Sequence, residues 1–375
     1  MALAEFRVYF GGASATQEQL DLITEIRVDQ AIGMATEAEL RLVLTADDAG
    51  AWSGMGEDFA QPFARVRVEV KLGDDSDEGD FVPLIDGPIV GQRFEMGAGP
   101  GESVLTLVMQ DDSVLLNREE SVELFEGMTA DEIVQQLYSD AGLTPEVDSV
   151  PDAGSALTRF VVQRGTAMQL VRELARSHGM FAYVKPGDTP GVSTGVFQLP
   201  VLTGGAVPGL LLMGNDRNID SFSVQFDALR PLAAAAGNVS ISDKTALSSS
   251  AASSDLDPMG DEAVHDFVSP PSTALLARTR EETNDLDAAT QAAVNLSAFA
   301  YSGTAEIDAE RYNTVLSPYQ VISVAGAGGV LSGDYLISRV THQITEDTYR
   351  QKLTLRRNAR SAGAGGGLPS LGGIV

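Results

Sequence analysis

Three histidines, His178, His265 and His342, are the natural candidates for acid–base or metal chemistry in this chain of 375 residues. They stand far apart and lack the short pairwise spacings by which two imidazoles reach one ion. His178 closes a helical pattern, where a partial positive charge suits the carbonyl end of the helix dipole. All three are therefore expected to be structural. The sequence does not exclude a Ser-His-Asp triad, but no Gly-x-Ser-x-Gly nucleophile elbow is expected. The acidic cluster from Asp74 to Asp80 invites calcium, but no Glu stands at the twelfth position of an EF-hand register, which leaves a solvated hairpin loop. Gly97, Gly99 and Gly101 around Pro100 resemble a phosphate loop, yet no helix follows, so a turn is expected. Paired carboxylates for glycoside cleavage have many candidates in so acidic a chain. Their diagnostic quantity is a separation in space, and nothing marks one pair. No catalytic, cofactor-binding or metal-ligating residue is assigned.

Composition narrows the classes further. Lys and Arg number 25 against 53 Asp and Glu, a formal net charge of -28. Duplex nucleic-acid binding draws its affinity from cations on phosphates, so no direct nucleic-acid binding is expected. An anionic membrane surface is disfavoured for the same reason. The charge itself fits solubility, or a polyanionic surface to which acidic cargo does not stick. With no cysteine there is no disulfide framework, thiolate site or Cys nucleophile. The start, MALAEFRVYF, carries neither the basic nor the apolar region of a signal peptide, and no apolar run is long enough to span a bilayer. Cytoplasmic assembly without membrane insertion is the resulting expectation.

The elements that would carry function are mostly strands. Residues 1–116 alternate apolar and polar in about six runs, among them Phe6–Phe10, Leu40–Leu44, Val104–Met109 and a half-buried strand in which Val66, Val68 and Val70 face inward and Arg67 and Glu69 face water. This predicts a first barrel-like domain. Residues 117–215 change character. Thr129 to Glu132 and Thr166 to Gln169 are capping boxes, each opening an amphipathic helix that stops at Gly142 or Gly179. A wall-binding role for the first of these helices is weaker than core packing, because its apolar stripe is wide. Residues 216–360 predict a second barrel-like domain, with a solvated Ser/Ala-rich loop at 232–262 and a third helix over Asp287–Tyr301 ended by Gly303. Residues 361–375 read as a flexible Gly-rich tether with an apolar tip, expected to engage a spike or plug a lumen. The fold class is α+β, mainly β, with two barrel-like domains and a small helix-containing domain between them.

The stretch from Val315 to Ala359 reads as one β-meander with a distinctive order: Ser332-Gly333-x-Tyr335, Val340-x-His342, Tyr349, then Leu353-x-Leu355 running into Arg356, Arg357, Asn358 and Ala359. With the segment from Phe160 to Gly179, Asp86 to Gly91 and Phe226 to Pro231, it resembles the late control protein D family of phage tail hubs and the hub region of VgrG-type spike proteins. The likeness covers most of the chain, from Glu5 to Ala359. It implies a non-enzymatic baseplate hub: a homotrimer whose paired tube domains form a pseudo-hexameric ring joining a hexameric inner tube to a trimeric spike. VgrG-like chains continue into a spike, and this one stops at Val375, so the expectation is that the spike is a separate protein or that the chain is a simple phage-type hub. Expected partners are the inner tube protein, that spike and other baseplate components, within a phage virion or injection particle. The competing expectation is a tail-associated enzyme or binding module directed at the cell wall.

Overall fold

Short period-two apolar runs, each cut off by Gly, Pro or Asp, favour strands over helices along most of this chain. The computed structural model describes residues 3–46, 50, 52–73, 80–99, 101–150, 160–205, 207–239, 244–276 and 283–362. Strand β1 (Leu3–Phe10) turns through Gly11 and Gly12, both at positive φ, into β2 (Ala13–Ser14). A single capped turn, α1 (Gln17–Leu20), leads to β3 (Ile23–Ala31), β4 (Glu37–Val43), β5 (Arg65–Gly73), β6 (Val82–Glu95) and β7 (Val104–Gln110). They pair antiparallel in the order β1, β5, β6, β7, β4, β3. The two outermost strands of this run share one core: Val8 and Phe10 of β1 lie in the cluster that holds Ile26 and Val28 of β3. The sheet therefore curls over its own apolar face, as a barrel-like unit does.

The helix-bearing segment follows. Its elements are β8 (Glu120–Glu126), α2 (Ala130–Asp140), β9 (Thr144–Val147), β10 (Phe160–Thr166), α3 (Ala167–His178), β11 (Phe181–Pro186), β12 (Ser193–Gln198) and β13 (Leu210–Leu211). Both helices start at the capping boxes read from the sequence, and Gly179 ends α3 at φ 68°. Ile133, Val134, Tyr138, Val171 and Phe197 form a second core. Strands β8 and β10 pair as a two-stranded ribbon, and β11, β12 and β9 form a separate sheet.

The last part of the chain returns to the first. It comprises β14 (Phe222–Phe226), β15 (Leu232–Val239), β16 (Ala246–Ala251), β17 (Glu262–Ala263), α4 (Val264–Phe267), β18 (Ser272–Leu275), α5 (Thr283–Ser297), β19 (Tyr301–Asp308), α6 (Ala309–Tyr312), β20 (Val321–Ala325), β21 (Gly333–Thr345), β22 (Tyr349–Arg357) and β23 (Ala359–Arg360). Strands β20, β21 and β22 are the expected meander, around a third core that includes Ile322, Tyr335, Ile337, Leu353 and Leu355. Strand β21 also pairs with β3, from Arg339↔Ala31 to Thr345↔Glu25. One 13-stranded sheet thus runs through both β-rich parts.

Three expectations fail in instructive ways. Arg67 and Glu69 of β5 do not face water: they are 2% and 6% exposed, because the β11–β12 hairpin lies over that side of the strand. The Ser/Ala-rich segment is not a loop throughout. Residues 232–239 and 246–251 form the β15–β16 hairpin, flanked by β18, while 252–261 is irregular, and the hairpin's small side chains let α5 pack closely, with Ala234 and Ala236 buried and Ser249 Oγ 2.9 Å from Thr290 Oγ1. Helix α5 spans Thr283–Ser297, not 287–301, and Gly303 sits inside β19. There, strand pairing with β14 and β22 overrides a helical pattern that continues through Ala300. The acidic loop at 74–79 and the tail at 363–375 lie outside the described residues.

Candidate functional site

The histidines stay apart. His178 ends α3, His265 lies in α4 with Nε2 3.2 Å from the Leu232 carbonyl, and His342 is wholly buried in β21. No cluster of three metal-ligating side chains occurs among the described residues. At the β6–β7 turn, the Gly97 amide donates to Ser103 Oγ at 3.1 Å and the Gly99 amide to Glu102 Oε2 at 2.9 Å, so these two donors of the supposed phosphate loop are already engaged. The face of α2 carrying Ile133, Val134, Leu137 and Tyr138 is core, as expected.

One motif corrects the sequence reading. Gly191, Ser193 and Gly195 do fit the Gly-x-Ser-x-Gly pattern. Ser193, however, opens strand β12 in a hairpin instead of a strand-to-helix turn, is 3% exposed, and its Oγ accepts from Arg65 Nη2 at 3.3 Å. A nucleophile needs a neighbouring base and an open approach, and this serine has neither among the described residues. Its place is in an ionic junction. Arg65 Nε donates to Asp86 Oδ1 at 2.6 Å, and its two terminal nitrogens reach Asp112 at 2.9 and 2.6 Å. Arg67 bonds Glu69 at 2.7 Å, Asp86 at 3.2 Å and the carbonyl of Gly187 at 2.7 Å. The Gly191 amide donates to Asp86 Oδ2 at 2.9 Å. Two arginines and three carboxylates of the first β unit thereby grip the β11–β12 hairpin of the helix-bearing segment. Two arginines at i and i+2 point to one side of a strand, and Asp86 follows on the next strand. That spacing was the available signal, but a charged alternate face looks solvated until something covers it.

A second junction is aromatic. Tyr319 lies just outside β20 with φ at 69°, a left-handed conformation rare for a non-glycine residue. Its ring stacks on Tyr183 at 3.9 Å and meets the edge of Phe181 at 5.1 Å, while its hydroxyl accepts from the Gly33 amide at 3.1 Å. Tyr319 thus ties β11 and the β3–β4 turn to the C-terminal meander, and burial pushes its phenol well above the ordinary range. Between the two β units, Asp29 pairs with Arg339, and His342 bridges Tyr349 Oη at 2.8 Å and Gln30 Oε1 at 3.3 Å.

A depression of about 250 Å³ beside the ionic junction is lined by Phe63, Arg65, Pro88, Asp112, Leu115 and Arg118 among others. Its carboxylate is the one bound by Arg65, and the Arg118 guanidinium lies 5.0 Å from the Phe63 ring centre. This lining offers no nucleophile–base pair and no two free carboxylates. What the described surface does offer is sheet edge, at β14 and β2 on the long sheet and on both sides of the β8–β10 ribbon. Unpaired strand edges recruit other chains.

The family model of the Alg8 N-terminal domain matches residues 2–346. The chain belongs to that family. No curated protein matches it. Among solved structures, a 43 kDa tail protein of prophage MuSo2 from Shewanella oneidensis is 13% identical over 95% of this chain and 99% of that one, with a TM-score of 0.63. A tail protein from Neisseria meningitidis MC58 is 14% identical over 95% and 97%, with a TM-score of 0.66. An E. coli component of the type VI secretion system, described as similar in structure to phage T4 tail proteins, is 11% identical over 95% and 76%, at 0.53. At such identities the fold is what is shared, and this family member has the mainly β, tail hub-like fold expected of it. No helix among its described residues is long and apolar enough to cross a membrane.

Proposed function

We propose that this Alg8 N-terminal domain family member is a structural, non-enzymatic hub in a phage tail or contractile injection particle. In this reading three copies close into a ring whose six β units match a hexameric tube on one side and a trimeric spike on the other. The observation that carries it is the 13-stranded sheet: two β-rich parts, the first curled over its own core, joined through β21 and β3 in a fold common to tail proteins over nearly the whole chain. Two β-rich parts per chain are what a threefold ring with near-sixfold outline requires. Free edges at β14 and β2 leave strand surface for a heterologous contact that closes on itself. The division at residues 116, 215 and 360 and the tether role of 361–375 belong to this proposal, as do the tube, spike and other baseplate partners and assembly in the cytoplasm. The engaged polar groups of the ionic junction support a non-catalytic role over the cell-wall enzyme reading.

The test is assembly. Purified chain mixed with candidate tube and spike proteins is expected to give a trimer by multi-angle light scattering, and rings with six lobes by negative-stain imaging. A chain that stays monomeric with both partners, or that hydrolyses peptidoglycan with turnover, would overturn the proposal.

A further inference from the structure

The β8–β10 ribbon is apolar on the wrong side. Its register places Val122 opposite Arg164, Leu124 opposite Val162, and Glu126 opposite Phe160. Directly opposed residues share a face, so these six side chains form one surface. The other face is ordinary: Phe125 and Gln163 are buried, and β10 packs against α3. On the outer face Val122 is 81% exposed, Leu124 52%, Phe160 45% and Val162 39%. Four large apolar groups in contiguous register on a two-stranded ribbon are not the scattered exposure of a typical surface. Two strands alone are also a marginal sheet.

We propose that this face docks an apolar strand surface of a different protein, bounded by Lys or Arg. Charge selects the occupant. Glu120 and Glu126 bracket Val122 and Leu124 along β8, and neither has an ion-pair partner among the described residues. A second copy of the face is a poor fit. With the two-fold axis across the strands, Glu120 lies over Glu126 of the other copy. With the axis along the strands, Glu126 lies over Phe160 and Arg164 over Val122. Neither arrangement sets a charge directly over its opposite. The net charge of -28 adds general repulsion between copies. Cations flanking an apolar strand satisfy both glutamates and cover the apolar centre, with affinity from the centre and selectivity from the rim. The proposal does not depend on the hub reading.

Two synthetic β-hairpins with the same Val/Ile/Leu face, one bounded by Lys and one by Glu, test it by fluorescence anisotropy against the full chain. The Lys-bounded hairpin is expected to bind about tenfold more tightly or better, with an advantage that shrinks as salt is raised. Leu124→Glu should abolish binding, and Val122→Ser, at the most exposed position, should weaken it with the thermal melt unchanged. Equal affinity for both hairpins, no binding of either, or binding that survives both substitutions would overturn the proposal. Self-association of the wild-type chain that Leu124→Glu removes, seen by sedimentation, would also overturn it by assigning the face to a second copy.

Discussion

His342 is a residue whose protonation bears on stability. Burial pushes its pKa down to about 3 from the ordinary 6.5, against a small upward pull from Asp29. Between those values the unfolded chain holds a proton that the folded chain does not, so this contribution is complete above pH 6.5 and is lost as pH falls toward 3. The slope in that window is about 1.4 kcal/mol per pH unit. His342→Gln, which keeps polar atoms for Tyr349 and Gln30, is expected to flatten the pH dependence of the urea midpoint between pH 6 and pH 4, roughly the window just derived. An unchanged pH profile would show that the histidine takes up its proton in the folded state. Arg67 makes the second prediction. Its side chain is 2% exposed, and Arg67→Ala leaves the buried Glu69 carboxylate without its cation and Asp86 with Arg65 alone. Breaking one partner of such a pair costs about 3–5 kcal/mol, measurable by denaturant unfolding. Neither residue announced its role in the sequence. The lack of metal spacing says nothing of the burial of His342, and the burial of Arg67 depends on the β11–β12 hairpin more than a hundred residues away.

Elements were legible where their signals are local. The capping boxes at Thr129 and Thr166 and the terminal glycine at 179 set helix ends to within a residue, because each satisfies backbone groups from within three or four positions. The Ser/Ala segment and the end of α5 were not, because small residues sit equally well in loop, helix and strand, and tertiary pairing decides. Strand β12 shows how tight such pairing is. A Cβ on Gly195 would come 2.5 Å from the ring of Tyr138, whose hydroxyl donates to the Val196 carbonyl at 3.1 Å. Gly195→Ala is therefore expected to destabilise the chain by about 1–3 kcal/mol through overpacking. Tyr138→Leu in the same background should recover part of that loss in thermal melts. Failure to do so would mean that backbone, not the ring, resists the methyl group.

At the scale of the whole molecule the two β units share hydrogen-bonded sheet as well as packing, which predicts one cooperative transition. Leu40→Ala in the first core and Leu355→Ala in the third should each lower stability by about 2–5 kcal/mol and shift the same calorimetric peak. Separate peaks, each moved by only one substitution, would show that the β21–β3 seam opens before either core melts. The doubled β architecture was visible in the sequence as two runs of alternation. Their fusion was not, since nothing local pairs Asp29 with a residue 310 positions later. That distance bears on synthesis at the ribosome. At 5–20 residues per second, strand β3 emerges roughly 15–60 s before its partner β21, so a nascent chain carries an open edge for most of its translation. Until β21 arrives, that edge is a template on which a neighbouring nascent chain can pair.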